Sequence, residues 1–458
     1  MKINTTLFRI SLLFVFILSL SLTTFAQDDA DTTAITEKTK VKKDKIKKGW
    51  NFGGLPIISF DSDLGLQLGA LASIYHYGDG SRYPRYDHYI YAEASFYTKG
   101  SGVFRLFYDT DKLIKGIRIT ADATYNPDLM YAFYGYNGYE STYNADWIDD
   151  STRVFYRMQR NFTRFMLSFQ GRLFHDNLRW LAGADFYMLD VSNVNVSFFN
   201  EKRDEGDKIP SEDSIPSLYQ RYQNWGLISP EEKNGGNFTA LKVGVVYDTR
   251  DNEPNPNRGI WSEIVLMGAP KFLANTESGF SKISLVHRQY FTIVRDRLTF
   301  VYRLGFIATI GGHTPWYAQN RLYPSLLKGS SSEGLGGGKT IRGVLRNRVV
   351  GDAVGYGNFE FRWKFLKTTL FNQNIYLALN GFFDSGRVFV KMEQDKIDDL
   401  PENIKSVYFT DEESFHNSVG AGLRIAMNQN FIVAIDYGKA LDKRDGTSGI
   451  YIGLNFLF

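Results

Sequence analysis

From Trp50 onward, apolar and polar residues alternate with a period of two, broken by turn residues. In 449–458 the even positions Ile450, Ile452, Leu454, Phe456 and Phe458 form an apolar face, opposite Gly449, Tyr451, Gly453 and Asn455. In 353–365 Phe359, Phe361, Trp363 and Phe365 oppose Tyr356, Asn358, Glu360, Arg362 and Lys364. In 374–386 Ile375, Leu377, Leu379 and Phe383 oppose Asn374, Tyr376, Asn380 and Asp384. Arg424 shares a face with Ser418, Gly420 and Gly422, and Asp436 faces away from Phe431, Val433, Ile435 and Tyr437. Such runs predict sixteen strands, at 51–60, 64–77, 86–98, 102–110, 114–134, 152–175, 178–192, 237–250, 258–268, 279–294, 296–311, 353–366, 374–390, 414–427, 430–440 and 448–458. The long connections, near 135–151, 193–236, 313–352 and 391–413, all fall at one end.

Alternation alone fits a soluble sandwich, with apolar faces inward, or a membrane barrel, with apolar faces toward lipid. Charges in mid-strand opposite aromatic faces, aromatics at strand ends and an even strand count favour the barrel. Composition agrees: Phe 36, Tyr 28, Gly 42 and only 12 Pro suit many two-faced strands. With 53 Lys+Arg against 50 Asp+Glu, the charge gives no reason to expect nucleic acid. The absence of Cys excludes disulfides, thiolate metal sites and cysteine catalysis.

The first residues read as a targeting segment. Lys2 and Arg9 precede the apolar stretch Ile10 to Leu22, and Thr24-Phe25-Ala26 ends in a small residue, so 1–26 is expected to be a cleaved secretory signal. No later run approaches the roughly 18 apolar residues of a membrane helix. Residues 27–49, with seven lysines from Lys38 to Lys48, are expected to form a flexible periplasmic tether. The barrel is assigned to 50–458.

Several segments only look like chemistry. Gly338-Lys339-Thr340 ends a phosphate-loop pattern, but the first glycine it needs is Glu333. The six histidines lack paired metal spacing, and there is no G-x-S-x-G elbow. No enzyme activity, cofactor or metal is expected.

Four motifs carry a resemblance. Tyr247-Asp248-Thr249-Arg250-Asp251-Asn252-Glu253-Pro254-Asn255-Pro256-Asn257-Arg258-Gly259 is similar to the D-x-R-D-N-x-x-x-P-x-x-G turn of the bacterial surface antigen superfamily, the BamA/TamA-type outer-membrane assembly factors. Thr340-Ile341-Arg342-Gly343-Val344 resembles that family's long-loop tip, although Val344 stands where an aromatic is usual. Phe382-Phe383-Asp384-Ser385-Gly386 resembles the F-x-D-x-G strand. Gly420-Ala421-Gly422-Leu423-Arg424 and Asp436-Tyr437-Gly438 resemble the closing strands.

The resemblance implies a sixteen-stranded antiparallel transmembrane β-barrel in the outer membrane, with a long extracellular loop folded into the lumen. It implies an ion cluster of Arg342 with Glu360 and Asp384, a loop tip at Ile341 and Gly343, a periplasmic turn held by Asp248, Arg250, Asp251 and Gly259, and barrel closure at Phe458. Only a short tether precedes the barrel, so a member without POTRA domains is expected. The implied function is assistance in inserting or translocating proteins or lipids, through a weak seam of 51–60 against 448–458, where Gly53, Gly54 and Pro56 limit pairing. Outer-membrane lipid, protein or lipid clients and accessory subunits are the expected partners. The alternatives are a passive pore or a scaffold barrel for a partner protein, and a barrel hydrolase is a third.

Overall fold

A computed structural model describes residues 46–458, except 212–213, 253–254, 322–333, 371–372, 428–430 and the single positions 63, 84, 150, 202, 277, 320, 393 and 455. The expected signal, most of the tether, and Glu253 and Pro254 of the turn motif lie outside the described residues.

Sixteen antiparallel strands close into one barrel, each paired with its sequence neighbours and the first with the last. They are β1 (Trp50–Asp61), β2 (Gly65–His76), β3 (His88–Tyr97), β4 (Gly102–Ile114), β5 (Ile117–Ala132), β6 (Arg157–Arg172), β7 (Leu178–Ser192) and β8 (Gly235–Asp248). Then follow β9 (Gly259–Ala269), β10 (Phe280–Val294), β11 (Leu298–Gly312), β12 (Ala353–Leu370), β13 (Gln373–Val390), β14 (His416–Met427), β15 (Phe431–Ala440) and β16 (Ser448–Leu454). The long connections between β5 and β6, β7 and β8, β11 and β12, and β13 and β14 share one end, here the loop end. The opposite, turn end carries shorter links such as 115–116 and 295–297.

The two faces of the wall differ as the alternation requires. Phe52, Phe165, Leu241, Val243, Phe361 and Trp363 point outward and are exposed. A continuous apolar exterior of this kind needs an apolar solvent. Inward, charges are paired across strands. Asp122 bridges Arg105 at 2.6 Å and Arg164 at 2.8 Å, Asp109 holds Arg118 at 2.8 Å, and Lys242 pairs with Asp185.

Two expected strands are shorter than the alternation suggested. Expected at 114–134 and 152–175, they end at Ala132 and begin at Arg157. The residues between them leave the wall and join an aromatic cap at the loop end. There Phe133, Tyr136, Tyr219, Tyr222 and Trp316, from three different connections, pack edge to face or tilted with centroids 5.2–5.8 Å apart. Such burial outweighs a few more ladder bonds at a solvent-exposed strand end.

Candidate functional site

The connection between β11 and β12 returns against the inner face of β12–β16. Arg342 is fully buried. Its Nε and Nη2 donate to Asp384 Oδ2 and Oδ1 at 2.8 and 2.9 Å, a two-pronged pairing, and its main-chain N–H donates to Oδ2 at 3.1 Å. Nη1 lies 2.7 Å from Glu360 Oε1, close in distance but off the line of a hydrogen bond, and 3.7 Å from Asp436 Oδ2. The guanidinium also stacks 3.4 Å over the Phe382 ring. A planar cation with a forked donor set suits such a site better than an ammonium.

Alternation brings these groups together. Glu360 lies on the face of β12 opposite Phe359 and Phe361, and Asp384 on the face of β13 opposite Phe383. Two further ion pairs extend the cluster. Arg362 Nε donates to Glu360 Oε2 at 2.8 Å, and Arg424 Nη2 to Asp436 Oδ2 at 2.9 Å. The sequence shows Arg362, Arg424 and Asp436 on the same polar faces, and the depth of the loop tip brings them into the cluster.

The loop tip is held by shape as well as charge. Gly343 has φ 94°, a backbone region that disfavours side chains, and its N–H donates to Tyr451 Oη at 3.1 Å. A Cβ on Gly438 would come within 2.5 Å of the Arg342 carbonyl carbon, so β15 lets the loop main chain approach. Asn358 Nδ2 donates to Thr340 O at 2.6 Å, and Arg303 to Lys339 O at 3.0 Å. Ile341 is fully buried, and Val344, despite lacking the usual ring, is almost fully buried.

Nearer the loop end, a second clasp ties four connections together. His416 sits between Asp445, 2.5 Å from Nδ1, and Glu413, 3.2 Å from Nε2, and stacks on Tyr139 at 3.9 Å. Tyr139 donates to Asp445 at 2.6 Å. Burial, and then the Asp445 carboxylate, push the Tyr139 hydroxyl above its ordinary value, which keeps it a donor. Arg348 donates to Gly138 O, Ser141 O and Arg444 O.

The β8–β9 turn is built by its own acidic residues. Arg250 Nε donates to Asp248 at 2.9 Å and its guanidinium lies 4.4 Å over Trp261. Asp251 Oδ1 accepts from the Asn257 N–H at 2.9 Å. Gly259 has φ 103°, and a Cβ there would lie 2.3 Å from Thr249 O. The turn reaches across the opening: Asn255 donates to Tyr376 Oη on β13 at 2.8 Å, and Lys364 on β12 donates to Asn257 Oδ1 at 2.7 Å.

The seam departs from the sequence expectation. β16 is described to Leu454 and, among the described residues, registers with β1 at Phe60–Ile452 and Asp61–Tyr451 alone, toward the loop end. By contrast, β1 meets β2 over its full twelve residues. Phe458 therefore does not close the wall. It is buried beside Tyr290 and Val301, with Arg303 and Arg362 5.0 and 5.1 Å from its ring, and Arg362 Nη2 donates to its main-chain oxygen at 3.1 Å. Phe456 packs with Tyr376, Ala378, Ala426 and Ile432. The physical reason is competition: two aromatic rings gain burial and cation–π contact inside, against ladder bonds to a β1 segment with Gly53, Gly54 and Pro56. Among the described residues, no group of three His or carboxylate side chains is placed to hold a metal ion.

A closed sixteen-strand wall with an apolar exterior, a loop arginine buried against it and a barely paired first and last strand define an outer-membrane barrel of the BamA-like kind. The profile of the Omp85 superfamily domain matches residues 119–458, and the chain belongs to that superfamily. Among solved structures, it is similar to BamA from Haemophilus ducreyi lacking POTRA domains 1-3, at 14% identity and TM-score 0.52, covering 90% of this chain and 71% of that one. It is also similar to CdiB from Escherichia coli, at 11% identity and TM-score 0.52, covering 89% of this chain and 62% of that one. At these identities the likeness concerns the fold. No curated protein matches the chain.

Proposed function

We propose that this barrel assists the insertion or translocation of proteins, or of lipids, at the outer membrane, and that it works as a non-enzymatic, seam-opening device. The observation that carries this reading is the seam itself. Between Trp50 and Ser59, β1 has a full ladder to β2 and, among the described residues, no registered partner in β16. An unpaired strand edge templates incoming strands, and a poorly sealed wall perturbs the adjacent bilayer. The loop end is taken as extracellular and the turn end as periplasmic, so the unsealed part of the seam faces the periplasmic half of the membrane. The Arg342 cluster holds the loop against β12–β16 while the seam moves. Outer-membrane lipid is the solvent of the exterior; protein or lipid clients and accessory subunits are the proposed partners.

The test is depletion of the protein with quantification of the outer-membrane proteome and surface lipid, complemented by wild type or by Arg342→Ala. The reading expects defined barrels or lipids to fall and only wild type to restore them. If proteome and lipid are unchanged while small-solute uptake shifts, the barrel is a passive pore.

A further inference from the structure

We propose that the outward face of β13–β15 near the loop end binds the phosphorylated headgroup of an outer-leaflet glycolipid, through Arg387, Asn417 and Lys439. The placement rests on the strand register and, for the leaflet, on the orientation proposed above. Arg387 lies on the same face of β13 as Phe383, and Lys439 on the same face of β15 as Tyr437 and Ile435. Asn417 faces outward between them: it registers with Ser385, whose hydroxyl donates to Asn417 Oδ1 at 2.7 Å, and its carbonyl accepts from Leu441. Lys439 registers with Val419, one outward position below Asn417.

Both cations are available. Among the described residues, no carboxylate lies within ion-pair distance of Arg387 or Lys439. The Arg387 Nε makes a long 3.3 Å bond to the Val388 carbonyl, and its guanidinium rests 5.5 and 5.1 Å from the Phe389 and Phe415 rings. Cation–π contact with these two rings leaves both Nη groups for a forked contact with phosphate.

The surroundings argue for lipid over water. Apolar outward residues lie on both sides of this polar row. Toward the turn end the wall continues with Phe383, Val419 and Tyr437; toward the loop end it continues with Phe415 and Leu441, 52% and 57% exposed. On β6–β8 the outward positions near the loop end instead become Asn161, Asp190 and Asn237, mixed and including a carboxylate, as a solvated rim would be. Cations set within an apolar band complement an amphiphile that carries its negative charge at the boundary of its acyl chains. A diphosphorylated glycolipid has that form.

The experiment uses the full chain purified in detergent. Lipid retention is read by native mass spectrometry during titration with diphosphoryl lipid A, its dephosphorylated counterpart, and phosphatidylglycerol. Wild type is expected to retain the diphosphoryl lipid best. Arg387→Gln or Lys439→Gln should each weaken retention about fivefold, and the double variant about thirtyfold. Arg387→Lys should recover only part of the loss, because the ammonium keeps the charge and lacks the fork. Heat-modifiable migration in gels confirms that each variant remains a folded barrel, and client insertion is scored separately, so failure of the lipid site and failure of the insertase reading are distinguishable. Equal retention by the double variant and wild type overturns the proposal. So does equal retention of phosphorylated and dephosphorylated lipid, which would mark the face as an ordinary annulus. Retention abolished by inorganic phosphate alone would also overturn it, since a free ion would then satisfy the site without an acyl chain.

Discussion

The β12–β13 hairpin and the β1–β16 junction are both neighbouring strand pairs of one wall, and they are held very differently. β12 and β13 register over seventeen residue pairs, and their inner faces also supply Glu360 and Asp384 to the loop arginine. β1 and β16 register over two pairs, supplemented by Ser62, whose N–H donates to Ile450 O at 3.1 Å and whose Oγ accepts from the Ile450 N–H at 2.7 Å. One side of the barrel is a ladder reinforced by buried charge. The other is a short clasp at the loop end, to which the Ser59 hydroxyl adds a bond to the Ile452 carbonyl; among the described residues, β1 has no registered partner in β16 from Trp50 to Ser59. The contrast shows that strand order alone does not distribute stability evenly. Side-chain chemistry decides which junction can part.

The largest effect is expected from breaking the reinforced side. Arg342→Ala leaves Glu360 and Asp384 buried without their partner, which costs about 3–5 kcal/mol by analogy with other broken buried pairs. Limited proteolysis should then cut within 334–352 while the β12–β13 ladder persists. If the loop stays as protected as in wild type, the cluster does not hold it.

A smaller effect is expected at the tail. Arg362→Gln removes the guanidinium from between Phe456 and Phe458 and its bond to the Phe458 main-chain oxygen, about 1.5–3 kcal/mol for that charged hydrogen bond, besides breaking its pair with Glu360. In a Phe458→Cys background, maleimide labelling should rise several-fold when this change is added. Unchanged labelling would mean the apolar pocket alone retains the tail. Smaller again is Tyr451→Phe, which removes the hydroxyl that accepts from Gly343 and should cost about 1 kcal/mol in urea unfolding. Amide exchange sharpens the same contrast without mutation: β12 and β13 should be protected throughout. In β1, groups pointing toward β2 should be slow, and those pointing toward β16 between Phe52 and Ile58 should be fast.

Much of this was legible in the chain. Period-two alternation located all sixteen strands, most to within a few residues, because a wall with lipid on one side and charge on the other leaves each residue little choice of face. The same alternation placed Glu360 and Asp384 on the lumenal side, and the Thr340–Val344 motif marked the arginine that meets them. What alternation could not show was where a strand stops being wall. Phe456 and Phe458 continue the apolar face of Ile450 and Ile452, yet they turn inward, because the Arg362, Arg303 and Tyr290 that receive them come from distant strands. For the same reason Phe133 reads as strand and folds into the cap, whose Tyr219 and Trp316 lie far along the chain. Asp436 and Arg424 were seen on their faces, but their place beside Arg342 depends on how far the loop descends, which spacing does not encode.

The most direct test of the account asks whether the seam must part. The chain has no Cys, so Phe60→Cys with Ile452→Cys introduces a single possible disulfide, at a registered pair whose Cβ atoms are expected about 4.5–5.5 Å apart. Cells depleted of the native protein would carry this variant, with outer-membrane client levels measured before and after reductant. The account predicts that the oxidised barrel remains folded and fails to support its clients, and that reduction restores them. Full support by the oxidised, fully cross-linked barrel would contradict it.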